Sequence, residues 1–202
     1  GKSVMIKCLI GLEIPDSGTI EIMSQKLEHL SLKALDEIRA DIGFLFQGSA
    51  LYDSMTVREN LEFPLRRHIS KFGNVKDTLP LVEEALQNVG LKNVIDLMPN
   101  ELSGGMKRRV ALARTLILKP KIIIYDEPTT GLDPITSKEI ILLMKSVQEK
   151  YKTSSIIITH DVDCARVIAN RMILLIDGKN YAEGTFAELS TSQDPKVKAF
   201  FK

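Results

Sequence analysis

The sequence predicts an α/β fold: a mostly parallel sheet flanked by helices, with an α-helical segment inserted into it. Three observations predict it. Short apolar runs at 42–47, 122–125 and 155–159 have the length of strands buried on both faces. Stretches with apolar residues at helical spacing lie between them. From about residue 50 to 108 that alternation stops and only helical patterns occur. Residues 50–108 therefore read as a helical subdomain, and 1–49 with 109–202 as the core of a single domain.

The chain opens with Gly1-Lys2-Ser3, followed by an apolar helical stretch from Val4 to Gly11. Gly-Lys-Ser before a helix is the end of a phosphate-binding loop, G-x-x-x-x-G-K-[ST]. In such a loop Lys2 reaches the β- and γ-phosphates and the Ser3 hydroxyl ligates magnesium. Backbone N–H groups at the helix start, from Gly1 to Val4, hold phosphate oxygens. Five of the motif's eight positions, and the strand that would anchor them, do not precede Gly1. The domain is thus expected to be incomplete at its N-terminus.

Pro15-Asp16-Ser17-Gly18 is turn chemistry, and 19–22 alternates as a short strand does. Ser31 can cap a helix carrying Leu32, Leu35 and Ile38 on one face. The strand at 42–47 ends in Gln47, whose amide can ligate a metal or position water, or be a plain loop residue. Thr56 and Glu59 form a capping box for a helix running to about Arg67 through Pro64. A loop at 71–75 leads to a second helix with Leu79, Val82, Leu86 and Val89 in one stripe.

Ser103-Gly104-Gly105 starts a helix with Met106, Val110, Ala113 and Ile117 inward, its N–H groups open to an anion. Lys107, Arg108, Arg109 and Arg114 make that helix basic, and a solvated or acid-paired face is the expectation for them. Asp133 caps and Pro134 opens a helix with Ile140, Leu143, Met144 and Val147 inward. The strand at 155–159 ends at His160-Asp161, the last long strand is expected at 171–177, and two helical pieces flank Pro195.

Composition narrows the function classes. Charged residues are 26% and hydrophobic residues 44%, as in an ordinary globular protein. A net charge of +1 gives no electrostatic case for nucleic acid, and the absence of Trp weakens a base-stacking role. Cys8 and Cys164 form no CxxC pair, and His29, His68 and His160 lack zinc-like spacing. No apolar run approaches the roughly 20 residues that span a bilayer, so a membrane role has to come through a partner.

The central stretch is Ile122-Ile123-Ile124-Tyr125-Asp126-Glu127-Pro128, a buried strand ending in two carboxylates. Such charges need partners, and a magnesium nucleotide at the carboxyl end of the sheet is one. In a parallel sheet the ends at Gln47, Asp126-Glu127 and His160 fall on one edge, beside Lys2 and Ser3.

These motifs resemble, in order, those of the ATPase subunit of an ABC transporter. Gly1-Lys2-Ser3 is similar to the end of Walker A, Gln47 to the Q-loop, and Leu102 to Met106 to the signature LSGG. Residues 122–126 are similar to Walker B, Glu127 to the catalytic glutamate, Gly131-Leu132-Asp133 to the D-loop and His160 to the switch histidine. Within the family the likeness is greatest to the ATPases of bacterial phospholipid-transport (Mla-type) systems, through residues 49–60, Phe63-Pro64-Leu65-Arg66, Met106 and the tail 194–201. That subgroup usually reads Gln-Ser-Gly-Ala-Leu-Phe where this chain has Gln47-Gly48-Ser49-Ala50-Leu51-Tyr52.

The resemblance implies a RecA-like P-loop NTPase core and a homodimer packed head to tail. Each ATP would lie between one phosphate loop and the partner's Ser103-Gly104-Gly105, with Asp133 near the nucleotide. Magnesium would sit on Ser3, Gln47 and Asp126. Glu127 would orient or deprotonate the attacking water, and His160 would contact the γ-phosphate. The helical insertion, with Leu51, Tyr52 and Phe63, would grip an integral membrane permease at the cytoplasmic face of the inner membrane. No nucleic-acid partner is expected. ATP hydrolysis would power phospholipid or other lipid transport. An ABC ATPase for another substrate, or one outside transport, is the alternative. The 202 residues alone, with so little of the phosphate loop, are expected to bind ATP weakly and hydrolyse it negligibly.

Overall fold

A computed structural model describes residues 1–68 and 77–201, with no description of the Ser3 side chain. The loop expected at 71–75 lies outside the described residues. The fold is the α/β arrangement that the sequence predicts. In chain order come α1 (Lys2–Leu9), the short strands β1 (Glu21–Ile22) and β2 (Gln25–Lys26), α2 (Leu32–Ala40) and β3 (Ile42–Leu45). Then follow α3 (Val57–Arg67), α4 (Leu79–Asn88), α5 (Gly104–Leu116) and β4 (Ile122–Asp126). The remainder is α6 (Pro134–Tyr151), β5 (Ser154–Ile158), α7 (Val162–Ile168), β6 (Met172–Ile176), β7 (Lys179–Gly184), α8 (Phe186–Ser190) and α9 (Pro195–Lys198).

Helix starts follow their caps. The Ser31 hydroxyl accepts from the Ala34 N–H, and Thr56 and Glu59 complete their reciprocal box. Asp133 accepts from the N–H groups of both Ile135 and Thr136, and Ser103 accepts from that of Met106.

Strands β3, β4 and β5 form a parallel sheet in that order, with Ile42 opposite Ile122 and Ile122 opposite Ser154. β4 is central and covered on both sides, which is why its run is continuously apolar rather than alternating. Ile123 and Tyr125 belong to the large core under α3, α4, α5 and α6, and Ile124 packs with Ile6 of α1 and Ile158 of β5. The large core is continuous from Leu45 through Leu61, Val82 and Val110 to Met144, so the helices of 50–108 share one apolar interior with the sheet.

β6 does not join the parallel sheet. It pairs antiparallel with β7, Met172 opposite Gly184, across a tight turn in which Asp177 has φ 50° and Gly178 φ 75°. The sequence predicts the first of these strands but not the second. Leu174 of this hairpin packs on Leu189 and Val197 in a small core of its own. Between β5 and β6 runs a groove of about 360 Å³ lined by Ile156, Ile158, Met172, Leu174 and Phe201.

Candidate functional site

Because β3, β4 and β5 run parallel, their carboxyl ends open on one edge and present Gln47, Asp126, Glu127 and His160 there. The start of α1 presents Lys2 to the same place. Lys2, Glu127 and His160 meet. The His160 Nδ1 lies 2.8 Å from Glu127 Oε2, and the Lys2 Nζ lies 3.9 Å from Oε1. Thr130 adds a long hydroxyl bond to Glu127 Oε2, at 3.4 Å. An ionised Glu127 accepts only, so the short contact puts a proton on Nδ1 of His160 and turns Nε2 away.

The backbone makes this arrangement possible. Glu127 has φ 48°, in the left-handed region that a side chain other than glycine rarely adopts. Its N–H donates to the Ile158 carbonyl of β5 at 2.8 Å. The chain therefore bends sharply as it leaves β4, and the carboxylate points across the sheet edge toward β5. The Glu127 side chain is 15% exposed and that of His160 73%, so the carboxylate is held within the structure and the imidazole faces solvent.

Asp126, the last residue of β4, is half-buried. Burial, and then the neighbouring Glu127 charge, push its carboxyl pKa up, and Lys2 offsets this in part. Two adjacent carboxylates with one lysine leave negative charge uncompensated. A hydroxyl, an amide oxygen and a carboxylate (Ser3, Gln47 and Asp126) are hard oxygen donors of the kind magnesium takes. The residues present thus fit a magnesium nucleotide. Among the described residues no cluster of three or more His, Cys, Asp or Glu could hold a metal by itself.

The remaining expected residues sit differently. Gly1 and Val4 are exposed, and α1 begins with no side-chain cap, so its first N–H groups are available. The Ser3 hydroxyl lies outside what the structure describes. Ser103, Gly104 and Gly105 are not drawn into the Lys2–Glu127–His160 group. They pack toward α6: a Cβ on Gly105 would lie 2.7 Å from Thr136 Cγ2, so only glycine fits there. The Asp133 carboxylate caps α6, and the hydrogen bonds from Thr136 hold its pKa below the usual range. The Asp161 carboxylate, given no role from sequence, caps α7 and accepts from the Thr129 hydroxyl at 3.0 Å, joining the exits of β4 and β5.

The basic helix corrects the sequence expectation. Arg109 is acid-paired, with Glu139 at 2.9 Å, but Arg108 is only 3% exposed and Arg114 is half-buried. Arg108 donates to the carbonyls of Phe46 and Gln47, and Arg114 to the Ser49 carbonyl. Burial lowers the pKa of both. Helical spacing could not show this, because the acceptors are backbone groups of a loop some 60 residues upstream. Asn60, fully buried, holds the same loop through Tyr52, Met55 and Thr56. Beyond the loop lies a mostly apolar cleft of about 450 Å³ with Phe44, Phe46, Tyr52, Phe63 and Arg114 in its wall. Tyr52 and Phe63 are exposed, their rings 4.9 Å apart and tilted at 52°, while Leu51 packs on the core.

Comparison with known proteins gives a consistent picture. A family model described as ABC transporter matches residues 1–130. The chain is 40% identical over 202 residues to the intermembrane phospholipid transport system ATP-binding protein MlaF of Haemophilus influenzae, covering 100% of this chain and 76% of that protein. It is 40% identical to the probable ribonucleotide transport ATP-binding protein mkl of Mycobacterium leprae, spanning 99% of this chain and 57% of that one. Against the methionine import ATP-binding protein MetN of Campylobacter jejuni the identity is 35%, over 99% of this chain and 64% of the relative. Among solved structures, the dimeric ATP-binding cassette MJ0796 bound to ADP and Pi superposes with a TM-score of 0.81 at 35% identity, over 92% of this chain and 81% of that one. The protein cbiO1 of Clostridium perfringens, part of the ABC transporter complex cbiONQ, gives 0.82 at 28%, over 100% and 79%.

Proposed function

The chain belongs to the ABC transporter family of ATP-binding cassettes, and from that premise we propose that it is the ATP-hydrolysing subunit of a transporter of phospholipid or another lipid. The observation that carries the hydrolytic reading is the Glu127 carboxylate, held between His160 and Lys2 at the carboxyl end of β4. At 3.9 Å the Lys2 contact is loose, and a triphosphate would draw the ammonium to itself. Glu127 then faces the γ-phosphate with its base free to orient and deprotonate water. With a proton on each ring nitrogen, His160 would donate to Glu127 through Nδ1 and to the γ-phosphate through Nε2. Ser3, Gln47 and Asp126 would hold magnesium, which would neutralise phosphate charge. The rest is positioning and electrostatics.

On this reading the site is incomplete within one subunit, since Gly104 and Gly105 lie against Leu132 and Thr136 and not in the Lys2–Glu127–His160 group. A head-to-tail homodimer, with Asp133 near the shared nucleotide, brings the partner's signature to each ATP. Residues 50–108 act as a helical subdomain on a RecA-like core formed by 1–49 and 109–202. The cleft beside Tyr52 and Phe63 takes an integral membrane permease, which keeps the subunit peripheral on the cytoplasmic face of the inner membrane. Among the described residues no helix is long and apolar enough to cross a membrane. Nucleic acid has no part in this reading, because Arg108 and Arg114 face inward. Lipid cargo is favoured by MlaF, similar over the whole chain, although mkl, named for ribonucleotide transport, is equally identical over a smaller share of its own length.

The test is Ser103→Arg in the full-length protein. A cation at the signature should lower hydrolysis roughly 100-fold and leave ATP binding to the isolated subunit intact. Full activity in a uniformly substituted dimer would refute the shared site.

A further inference from the structure

Arg108 has no evident structural excuse. Arg108 is only 3% exposed, yet among the described residues its guanidinium's partners are carbonyls and no carboxylate pairs with it. One nitrogen donates to the Phe46 carbonyl at 2.7 Å. The other donates to the Gln47 carbonyl at 2.5 Å and, more weakly, to that of Thr130 at 3.4 Å. Among the described residues Nε is buried without a partner. A buried cation of this kind is costly, and an apolar side chain of the same length would serve packing as well or better.

What the guanidinium does is tie three elements at one point. It stands on the first turns of α5, four residues after Gly104. Its acceptors lie on the loop leaving β3, which carries Gln47, and on the loop leaving β4, where the Thr130 hydroxyl reaches Glu127. The planar fork fixes both loops at once, which a point charge on a flexible stem cannot do.

We propose that Arg108 is a positioning residue that locks the Gln47 loop and the Thr130 loop to α5, so that engagement of Ser103–Gly105 with a partner subunit's nucleotide sets Gln47 and Glu127 of the same subunit. This rests on the ATPase reading for its consequence but not for the tie itself, and the test separates the two. The Ser49 amide bonds the Phe46 carbonyl, and the Thr130 and Leu132 amides bond those of Glu127 and Thr129, so each loop has its own exchange probe. In the full-length protein, Arg108→Met should raise hydrogen exchange at Ser49, Thr130 and Leu132 together by about tenfold, with α5 unchanged. Arg108→Lys keeps the charge and loses the fork, and it should loosen the same amides. Change in one loop only, or full restoration by lysine, would overturn the tie.

Hydrolysis reads the consequence. Arg108→Met should raise the magnesium concentration for half-maximal rate and lower kcat, each by about tenfold, with KM for ATP within about twofold. In a Gln47→Ala background it should add no further magnesium shift, because Arg108 acts through Gln47. Equal effects in both backgrounds would overturn the transmission. No hydrolysis by the unsubstituted protein would overturn the transmission together with the ATPase reading, while the exchange result would still stand or fall by itself.

Discussion

On the carboxylate side of the crevice, Ile123, Ile124 and Tyr125 of β4 are sealed to 2% exposure or less, whereas on the phosphate side residues 1–30 bury a single described side chain, Ile6. The difference shows in what each side can hold. A left-handed backbone at Glu127 persists only where surrounding packing over-determines it, and the sheet does that. Lys2, on a helix start with no side-chain cap, holds its contact at only 3.9 Å and, on the ATPase reading, would exchange it for a phosphate. On the ATPase reading, rigid chemistry and adaptable binding would thus be divided between two parts of one crevice.

The largest effect expected from breaking that division is at Glu127. Glu127→Gln in the full-length protein keeps the shape and removes the base, so turnover should fall about 100-fold or more. Equilibrium ATP binding, governed by the other side, should change little. Single-turnover rates and binding isotherms measure the two separately, and turnover near the unsubstituted value would move the chemistry elsewhere.

A second measurement asks whether the rigid side owes its order to polar groups as well. Glu62 of α3 sits in the packed region with a carboxylate 9% exposed. Burial pushes its pKa up, but hydrogen bonds from Thr78, Arg58 and Arg66 outweigh that and hold it at about 2, against an ordinary 4.5. A folded pKa below the unfolded one stabilises at pH above the unfolded value. That stability is lost as pH falls from about 4.5 to about 2. Denaturation between pH 2 and 7 should show an acid-side loss of up to about 3 kcal/mol, and Glu62→Gln should flatten it. An unchanged acid limb in the variant would show that the cluster contributes nothing.

The smallest effect probes dryness. The Tyr125 hydroxyl is buried with no hydrogen-bond partner among the described residues, and burial drives its pKa up. Tyr125→Phe should stabilise the protein by about 1 kcal/mol, read from denaturant midpoints. A loss of stability would reveal a polar contact behind β4 and a less tightly sealed side.

Much of the crevice was legible because its signals are local. Strands β3, β4 and β5 announce themselves as apolar runs ending in Gln47, Asp126-Glu127 and His160, and parallel pairing alone puts those ends together. Caps at Ser31, Thr56, Ser103 and Asp133 are written in two to four neighbouring residues. What escaped is set by tertiary contact. β7 is Lys179-Asn180-Tyr181-Ala182-Glu183-Gly184, with no β-branched residue, and only its Asp177-Gly178 turn advertises it. Likewise the inward turn of Arg108 and Arg114 depends on carbonyls far away in the chain, which no periodicity records.

The left-handed turn at Glu127 also bears on how this protein would respond to selection for heat resistance alone. Glycine or asparagine would occupy φ 48° with less strain than a glutamate, by about 1 kcal/mol. They would also remove a carboxylate that crowds Asp126. A screen that rewards only thermal survival would therefore favour replacement at this very position and, on the ATPase reading, recover sturdy proteins that no longer turn over. On that reading, glutamate at 127 marks a place where stability and activity pull the sequence in opposite directions.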